Sequence, residues 1–257
     1  MLDVLGRGWR VCATGISFAV FGIGGLLLRV LVFPLLNVVV RERERRVRMA
    51  REIIRLTFRA FVGLMRGLGV LRYEFVGLEK LDRGGLLILA NHPTLIDTVF
   101  LMAFVRRADC IVKSHLWNNP FTRGPVRAAG YISNDGASEL IDDCIASLQA
   151  GNNLIVFPEG TRTAASGQVS LKRGAANIAV RGRRDVTPVL IVCDPPTLGK
   201  GEPWWRVPPR RVQFRIEVQQ DIDIATFTDQ CKNDVIAVRH LTDHLQELFT
   251  EVKPEHA

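Results

Sequence analysis

The feature that most restricts this chain is the apolar stretch at its front. From Val11 to Leu28, eighteen residues carry no charge, and after Arg29 eleven more run from Val30 to Val40. A helix needs about 20 apolar residues to cross a bilayer, a length reached by continuing through Arg29 or reaching back to Trp9. The run is too long for a secretory signal and no small-residue cleavage site follows it, so it is expected to stay as an anchor. Two geometries fit, a single tilted span or a helical hairpin broken near Gly24-Gly25 or Pro34. Arginines on both flanks (Arg7 and Arg10 before, Arg41 onward after) favour cytoplasmic placement of both ends, and therefore the hairpin. The bland alternative is the buried core helix of a soluble protein.

The charge of the chain is concentrated just behind this stretch. Between Arg41 and Arg66 stand nine arginines and three glutamates, which is +6 of the formal net charge of +8. A basic block suits an anionic membrane surface or nucleic acid, and its neighbour decides between them. Val47, Ile54, Phe58, Phe61, Val62, Met65 and Leu68 recur at helical spacing, with Arg51, Arg55, Arg59 and Arg66 between them. A basic amphipathic helix beside an apolar segment reads as an interfacial helix on anionic lipid, with no nucleic-acid partner expected. The expected division is therefore a membrane-embedded helical segment at 1–40, an interfacial helix at 41–68 and a folded domain at 69–257.

That last region reads as a single α/β domain. Strands are expected at Leu71–Val76, Leu86–Ala90, Cys110–Lys113, Asn153–Phe157, Thr187–Val192 and Arg211–Val218, with helices near 94–106, 136–150, 172–182 and 229–251. Residues 86–90, 153–157 and 187–192 are unbroken apolar runs, as in strands covered on both faces. Only the last strand alternates, with Val212, Phe214, Ile216 and Val218 inward. The five cysteines (12, 110, 144, 193, 231) are scattered, which fits reduced thiols rather than disulfides or a zinc site.

Two segments carry chemistry, each after an apolar strand. In Asn91-His92-Pro93-Thr94-Leu95-Ile96-Asp97, Pro93 suits the first position of a helix, which places His92 at a strand-to-helix turn, where α/β sheets put their ligands. Asp97, expected one turn into that helix, can reach the imidazole. A carboxylate on one ring nitrogen fixes the tautomer and leaves the other nitrogen free to take a proton. A capping Asp beside a structural His gives the same pattern. In Phe157-Pro158-Glu159-Gly160-Thr161-Arg162, a carboxylate, a glycine and a guanidinium suited to phosphate share one turn; an ordinary strand-end turn with a solvated Arg is the alternative.

Taken together, the two segments make the chain resemble the glycerolipid and lysophospholipid acyltransferase family. Its Asn-His-x-x-x-x-Asp motif matches Asn91 to Asp97, and its Phe-Pro-Glu-Gly-Thr-Arg motif matches Phe157 to Arg162 residue for residue. Thr187-Pro188-Val189 and Lys172-Arg173-Gly174 are also similar to family segments. The resemblance covers roughly residues 70–220. It implies a mixed central sheet flanked by helices, as in glycerol-3-phosphate acyltransferase. It also implies direct acyl transfer from acyl-CoA or acyl-carrier protein to a lipid hydroxyl, such as 1-acyl-sn-glycerol-3-phosphate or a related lysophospholipid. His92 would be the base and Asp97 its orienting partner, with Asn91, Glu159, Gly160, Thr161, Arg162 and Lys172 toward the substrate. The implied setting is the cytoplasmic face of a membrane (the inner membrane in a bacterium), with membrane lipids as partners and no cofactor. The residues agree on one point independently: no Gly-x-Ser-x-Gly elbow and no Cys with a neighbouring His advertises a covalent nucleophile.

The chain departs from the family at one motif. Where members carry a segment shaped like Gly-x-Ile-Phe-x-Asp-Arg, this chain has Gly130-Tyr131-Ile132-Ser133-Asn134-Asp135-Gly136. The arginine held to grip the acceptor phosphate is replaced by Gly136, unless Arg123, Arg127 or Lys172 substitutes. A specialised acceptor, or water in a thioesterase or lipase, therefore stands as the alternative. His240 and His244 have metal-pair spacing but no third ligand, so no metal is expected. Trp204-Trp205 suits a loop dipping into the interface or one packed on the sheet, and His115 and Trp117 are candidates to line the site.

Overall fold

The computed structural model describes residues 2–114, 123–134, 137–164 and 166–251. A seven-stranded mixed sheet lies at its centre. The helices are α1 (Leu2–Leu27), α2 (Phe33–Val39), α3 (Arg43–Gly67), α4 (Asp97–Phe104), α5 (Arg123–Ala128), α6 (Ala137–Gln149), α7 (Gly174–Gly182), α8 (Ala225–Thr228) and α9 (Asp234–Thr250). The strands are β1 (Leu71–Val76), β2 (Leu87–Ala90), β3 (Ala108–Val112), β4 (Ile132–Ser133), β5 (Asn153–Val156), β6 (Val186–Asp194) and β7 (Val212–Val218). They lie in the order β1-β7-β6-β2-β5-β3-β4, all neighbours parallel except the antiparallel pair β6 and β7.

The apolar run of β2 follows from its position. Ile88 and Ala90 enter one core with α3 and α4, while Leu87 and Leu89 enter a second core with α6, α7 and α9. A strand covered on both faces has no polar side to offer, so it reads as continuous hydrophobe. β7 is covered on one face only: Val212, Phe214, Ile216 and Val218 are buried and Gln213, Arg215 and Glu217 are not. The expected strands are all present to within two residues at each end, and β4 is an addition. Its two residues pair only with β3, too short a stretch to leave a pattern in sequence.

Three expectations about the front of the chain need correction. The hairpin is not formed. Residues Leu2–Val39 run as one helix, with a π turn at Leu28–Val32 just before Pro34. A proline tolerates the first positions after such a turn because the amide it lacks is not needed there. The second correction concerns α3, whose apolar face lies on protein rather than outward. Ile54, Phe61, Val62 and Met65 are buried in the same core as Ala13, Phe33 and Leu36 of the first helix and Ile88 and Ala90 of the sheet, so the boundaries at 40 and 68 do not separate packing units. Third, α3's basic face is not uniform. Arg51 is buried, with Nη2 2.8 Å from Asp109 Oδ2 and Nε donating to Ala129 O at 2.8 Å. Arg59 and Arg66 lie over the rings of Phe104 and Tyr73. Four further exposed arginines, Arg41, Arg43, Arg45 and Arg48, stand near the start of α3.

The outward side of the first helix remains apolar. Ile23, Val30, Leu31, Leu35, Val38 and Val39 are each at least 55% exposed. Both ends of the helix are tied to the domain: Arg7 Nε donates to Val207 O and Trp9 Nε1 to Leu68 O, and Phe33 and Leu36 are buried at the other end. The tryptophan loop belongs to this contact. Trp204 packs against Gly15 and Phe18 of α1 rather than on the sheet, and Trp205 stays 59% exposed.

Candidate active site

β2 and β5 are neighbours in parallel register, Leu89 opposite Val156, so the segments that follow them emerge side by side at the carboxyl end of the sheet. That single pairing brings Asn91–Asp97 and Phe157–Arg162 together.

The geometry at His92 starts with a helix that begins later than expected. α4 starts at Asp97, not at Pro93, because the Asp97 carboxylate draws the preceding residues into a turn, accepting from Thr94 N at 2.6 Å and from Thr94 Oγ1. Asp97 is fully buried and accepts a third bond from His92 Nδ1 at 2.9 Å. Burial pushes the Asp97 carboxyl above its ordinary range, and the hydrogen bonds from His92 and Thr94 oppose that rise. With Thr94's backbone amide already donating to Oδ2, the carboxylate is organised as an acceptor, and His92 Nδ1–H is its donor. Nε2 is left as the open edge of the ring, with no hydrogen-bond partner among the described residues. The His92 side chain retains 16% exposure.

The second motif holds the first in place. Glu159 is buried; its Oε1 accepts from His92 N at 3.0 Å and from Thr163 Oγ1 at 2.9 Å. Thr163 N returns a bond to His92 O at 2.8 Å. The Phe157 ring stacks on the imidazole, centroids 4.1 Å apart and planes 23° apart. Asn91 is buried, its amide exchanging two bonds with Ile191 of β6, at 2.8 and 2.7 Å. Asn91 and Glu159 were assigned to the substrate by sequence; here both side chains bind backbone and fix the His92 loop.

The other expected residues lie on the open side. Gly160 takes φ +67°, a conformation that favours glycine, and a Cβ there would come within 3.1 Å of Lys172 Nζ. Thr161 and Lys172 are exposed. Arg162 is partly committed: Nη1 donates to Leu198 O and Gly199 O at 2.9 and 2.7 Å. Leu198 O also accepts from Leu95 N, so the 198–199 loop is tied to both motifs. Sequence reasoning assigned no site role to Phe157, Thr94, Thr163 or this loop. Phe157 and Thr94 stood inside the quoted motifs, whereas the contacts of Leu198 have no local signal. His115, Trp117 and Gly136 lie outside the described residues.

Three of the cysteines are unprepared as nucleophiles. Burial pushes the thiols of Cys110 and Cys193 far up, and that of Cys144 up to about 12. On the final helix, His240 lies 3.6 Å from Cys231 Sγ and His244 packs on Phe227.

The Acyltransferase family model matches residues 72–192, a span that contains both motifs. Over that span the chain matches the acyltransferase family. It is similar to a 1-acyl-sn-glycerol-3-phosphate acyltransferase of Helicobacter pylori, 32% identical over 46% of this chain and 54% of that protein. It is also similar to one of Pseudomonas aeruginosa, 26% identical over 54% of this chain and 56% of that protein. The chain thus spans about half the length of the curated relatives it matches. A solved 1-acyl-sn-glycerophosphate acyltransferase from Thermotoga maritima shares the fold, with a TM-score of 0.67, 20% identity, and coverage of 99% of this chain and 100% of that one. Within the matched span the two motifs form one latch around an imidazole.

Proposed function

We propose that this acyltransferase moves a fatty acyl group from acyl-CoA or acyl-carrier protein to the free hydroxyl of 1-acyl-sn-glycerol-3-phosphate or a related lysophospholipid. The observation that carries the reading is the His92–Asp97 pair, buried on its Asp side and open at Nε2. Nε2 takes the hydroxyl proton as the oxygen attacks the thioester carbonyl; the tetrahedral intermediate collapses with loss of the thiolate, which recovers the proton from the imidazolium. Asp97 supports the imidazolium while it exists. Lys172 and the Nε/Nη2 side of Arg162 face the acceptor phosphate, with Gly160 allowing close approach. The names of the similar proteins support this acceptor.

The site is proposed to work at the cytoplasmic surface of a membrane. The helical segment Gly6–Val39 is apolar enough to cross, yet its 34 residues would extend about 51 Å at ~1.5 Å per residue, well beyond a hydrocarbon core of about 30 Å. With both ends fastened to the domain, it would lie along the surface with its apolar side in the acyl chains. One observation favours a second acceptor: Ser133 and Gly136 replace the family's Phe and Arg, which suits an acceptor other than plain lysophosphatidate.

The purified chain, given isotope-labelled acyl-CoA and acyl-carrier protein in turn with a panel of lipid alcohols, tests the proposal by mass spectrometry. Acyl ester formed only with a lysophospholipid acceptor supports it. Free fatty acid released without any acceptor would replace it with a thioesterase.

A further inference from the structure

Arg29 is the one charge inside the apolar front of the chain. An ionisable residue on such a helix marks a functional position by default, and Arg29 sits in the π turn Leu28–Val32, a distortion frequent at functional sites. It lines a cleft of about 400 Å³ together with Arg43, Arg46, Arg123 and Arg127, a size that suits a head group. Phe33, Pro34 and Asn37 close one wall, and no acidic side chain is among the described residues that line it. The approach of Arg29 depends on Gly124, where a Cβ would meet Arg29 Cγ at 3.0 Å. Arg29, Arg43 and Arg123 are held together with no acid among the described lining residues; like charges so placed repel, and guanidinium forks match phosphate oxygens in pairs.

The cleft is separate from the His92 site. It opens beside α5 and Gly130, next to β4, the edge strand three places from β2, and none of its lining residues belongs to either motif. The other arginine cleft of the molecule serves as an internal contrast. It is lined by Arg66, Arg72 and Arg211, but Arg211 donates to Leu71 O and Arg66 O, and Arg66 lies over Tyr73. There the guanidinium groups hold the fold together. Around Arg29, Arg46 makes a bond of that kind, to Val40 O, and Arg127 too has an interaction of its own.

We propose that the Arg29 cleft is a second binding site, taking the phosphate of an anionic membrane lipid whose tails run along the exposed Leu26 and Val30. The lipid source is favoured over free phosphate because these apolar side chains, 50–55% exposed, flank Arg29 on its own helix. This site does not require the transferase reading to be correct.

The test uses the full chain in uncharged detergent and titration calorimetry with dihexanoyl phosphatidylglycerol, which is neither acceptor nor product of the proposed reaction. Arg29→Gln/Arg123→Gln should weaken binding at least tenfold, and His92→Ala and Lys172→Gln should leave it within twofold. Unchanged affinity in the double variant overturns the proposal, as does an equal loss in His92→Ala or Lys172→Gln. Inorganic phosphate should displace the probe only at tenfold or greater excess; displacement at equal concentration means a free-phosphate site and defeats the lipid assignment. Dihexanoylglycerol should not bind, and binding as tight as the phospholipid's would remove the phosphate from the argument. Should the double variant not fold, Arg43→Gln, an exposed position at the start of α3, is expected to weaken binding about threefold, and no change there counts against the site.

Discussion

Two carboxylates in this protein are buried beside a basic partner, and they are finished differently. Asp109 meets Arg51 on α3, and both members of that pair are bonded further: Arg51 also donates to Ala129 O and Gly130 O, and Asp109 accepts from Ser147 Oγ and Cys110 N. Asp97 meets His92, and there the satisfaction stops at the imidazole, whose Nε2 is left open. Burial raises both carboxyls against the pull of their partners. The comparison teaches that burial of an ion pair does not mark a site. A pair bonded further on both members anchors one element to another, whereas a pair saturated on the acid and open on the base has the arrangement that the proposed proton transfer requires.

The widest separation of the two pairs comes from His92→Ala. Turnover should fall ~10²–10⁴-fold while denaturant unfolding remains close to wild type. Near-normal acyl transfer would remove His92 from the base role. Asp109→Ala is the opposite case. It leaves Arg51 buried without a counter-charge, an expected loss of about 3–5 kcal/mol in unfolding free energy, and a loss under 1 kcal/mol would mean that water reaches the pair. Gly160→Ala should cost roughly 1–2 kcal/mol and weaken acceptor use through displaced Lys172, read as a rise in KM.

Asp97→Asn sharpens the comparison through pH. The folded pKa of Asp97 lies above its unfolded value, so its contribution to stability is complete below the ordinary carboxylate range and is lost as pH rises through the raised pKa. Asparagine does not titrate there. Activity should drop steeply in the variant, and its stability relative to wild type should improve as pH climbs from the ordinary carboxylate range through that raised value. A stability difference that does not vary with pH over that window would contradict the raised pKa.

The elements legible in sequence were those with a repeating signal. The doubly covered strands and the alternating β7 were legible because burial on two faces or one leaves a run or an alternation of hydrophobes. β4, α5 and α8 are too short for any period to form. The start of α4 was misplaced because Asp97 spends its carboxylate on Thr94, a local competition that Pro93 does not reveal. The interfacial reading of α3 failed for a different reason: an apolar helix face is the same whether lipid or sheet covers it.

His92 and Asp97 were identified together from a spacing of five, since a turn brings such residues within reach whatever the rest of the fold does. The roles of Asn91 and Glu159 were not recoverable in that way, because their partners are Ile191 and His92, 100 and 67 residues away. Sequence by itself therefore determined the family resemblance, the strand faces and the meeting of His92 with Asp97, all properties of local pattern. Tertiary structure alone decided which polar side chains are spent on backbone and which are left for a ligand, because hydrogen-bond capacity is shared out among neighbours in space. Arg51 and Arg29 are the same residue type in one basic, apolar region, and only their surroundings make one a rivet of the core and the other the wall of an open cleft.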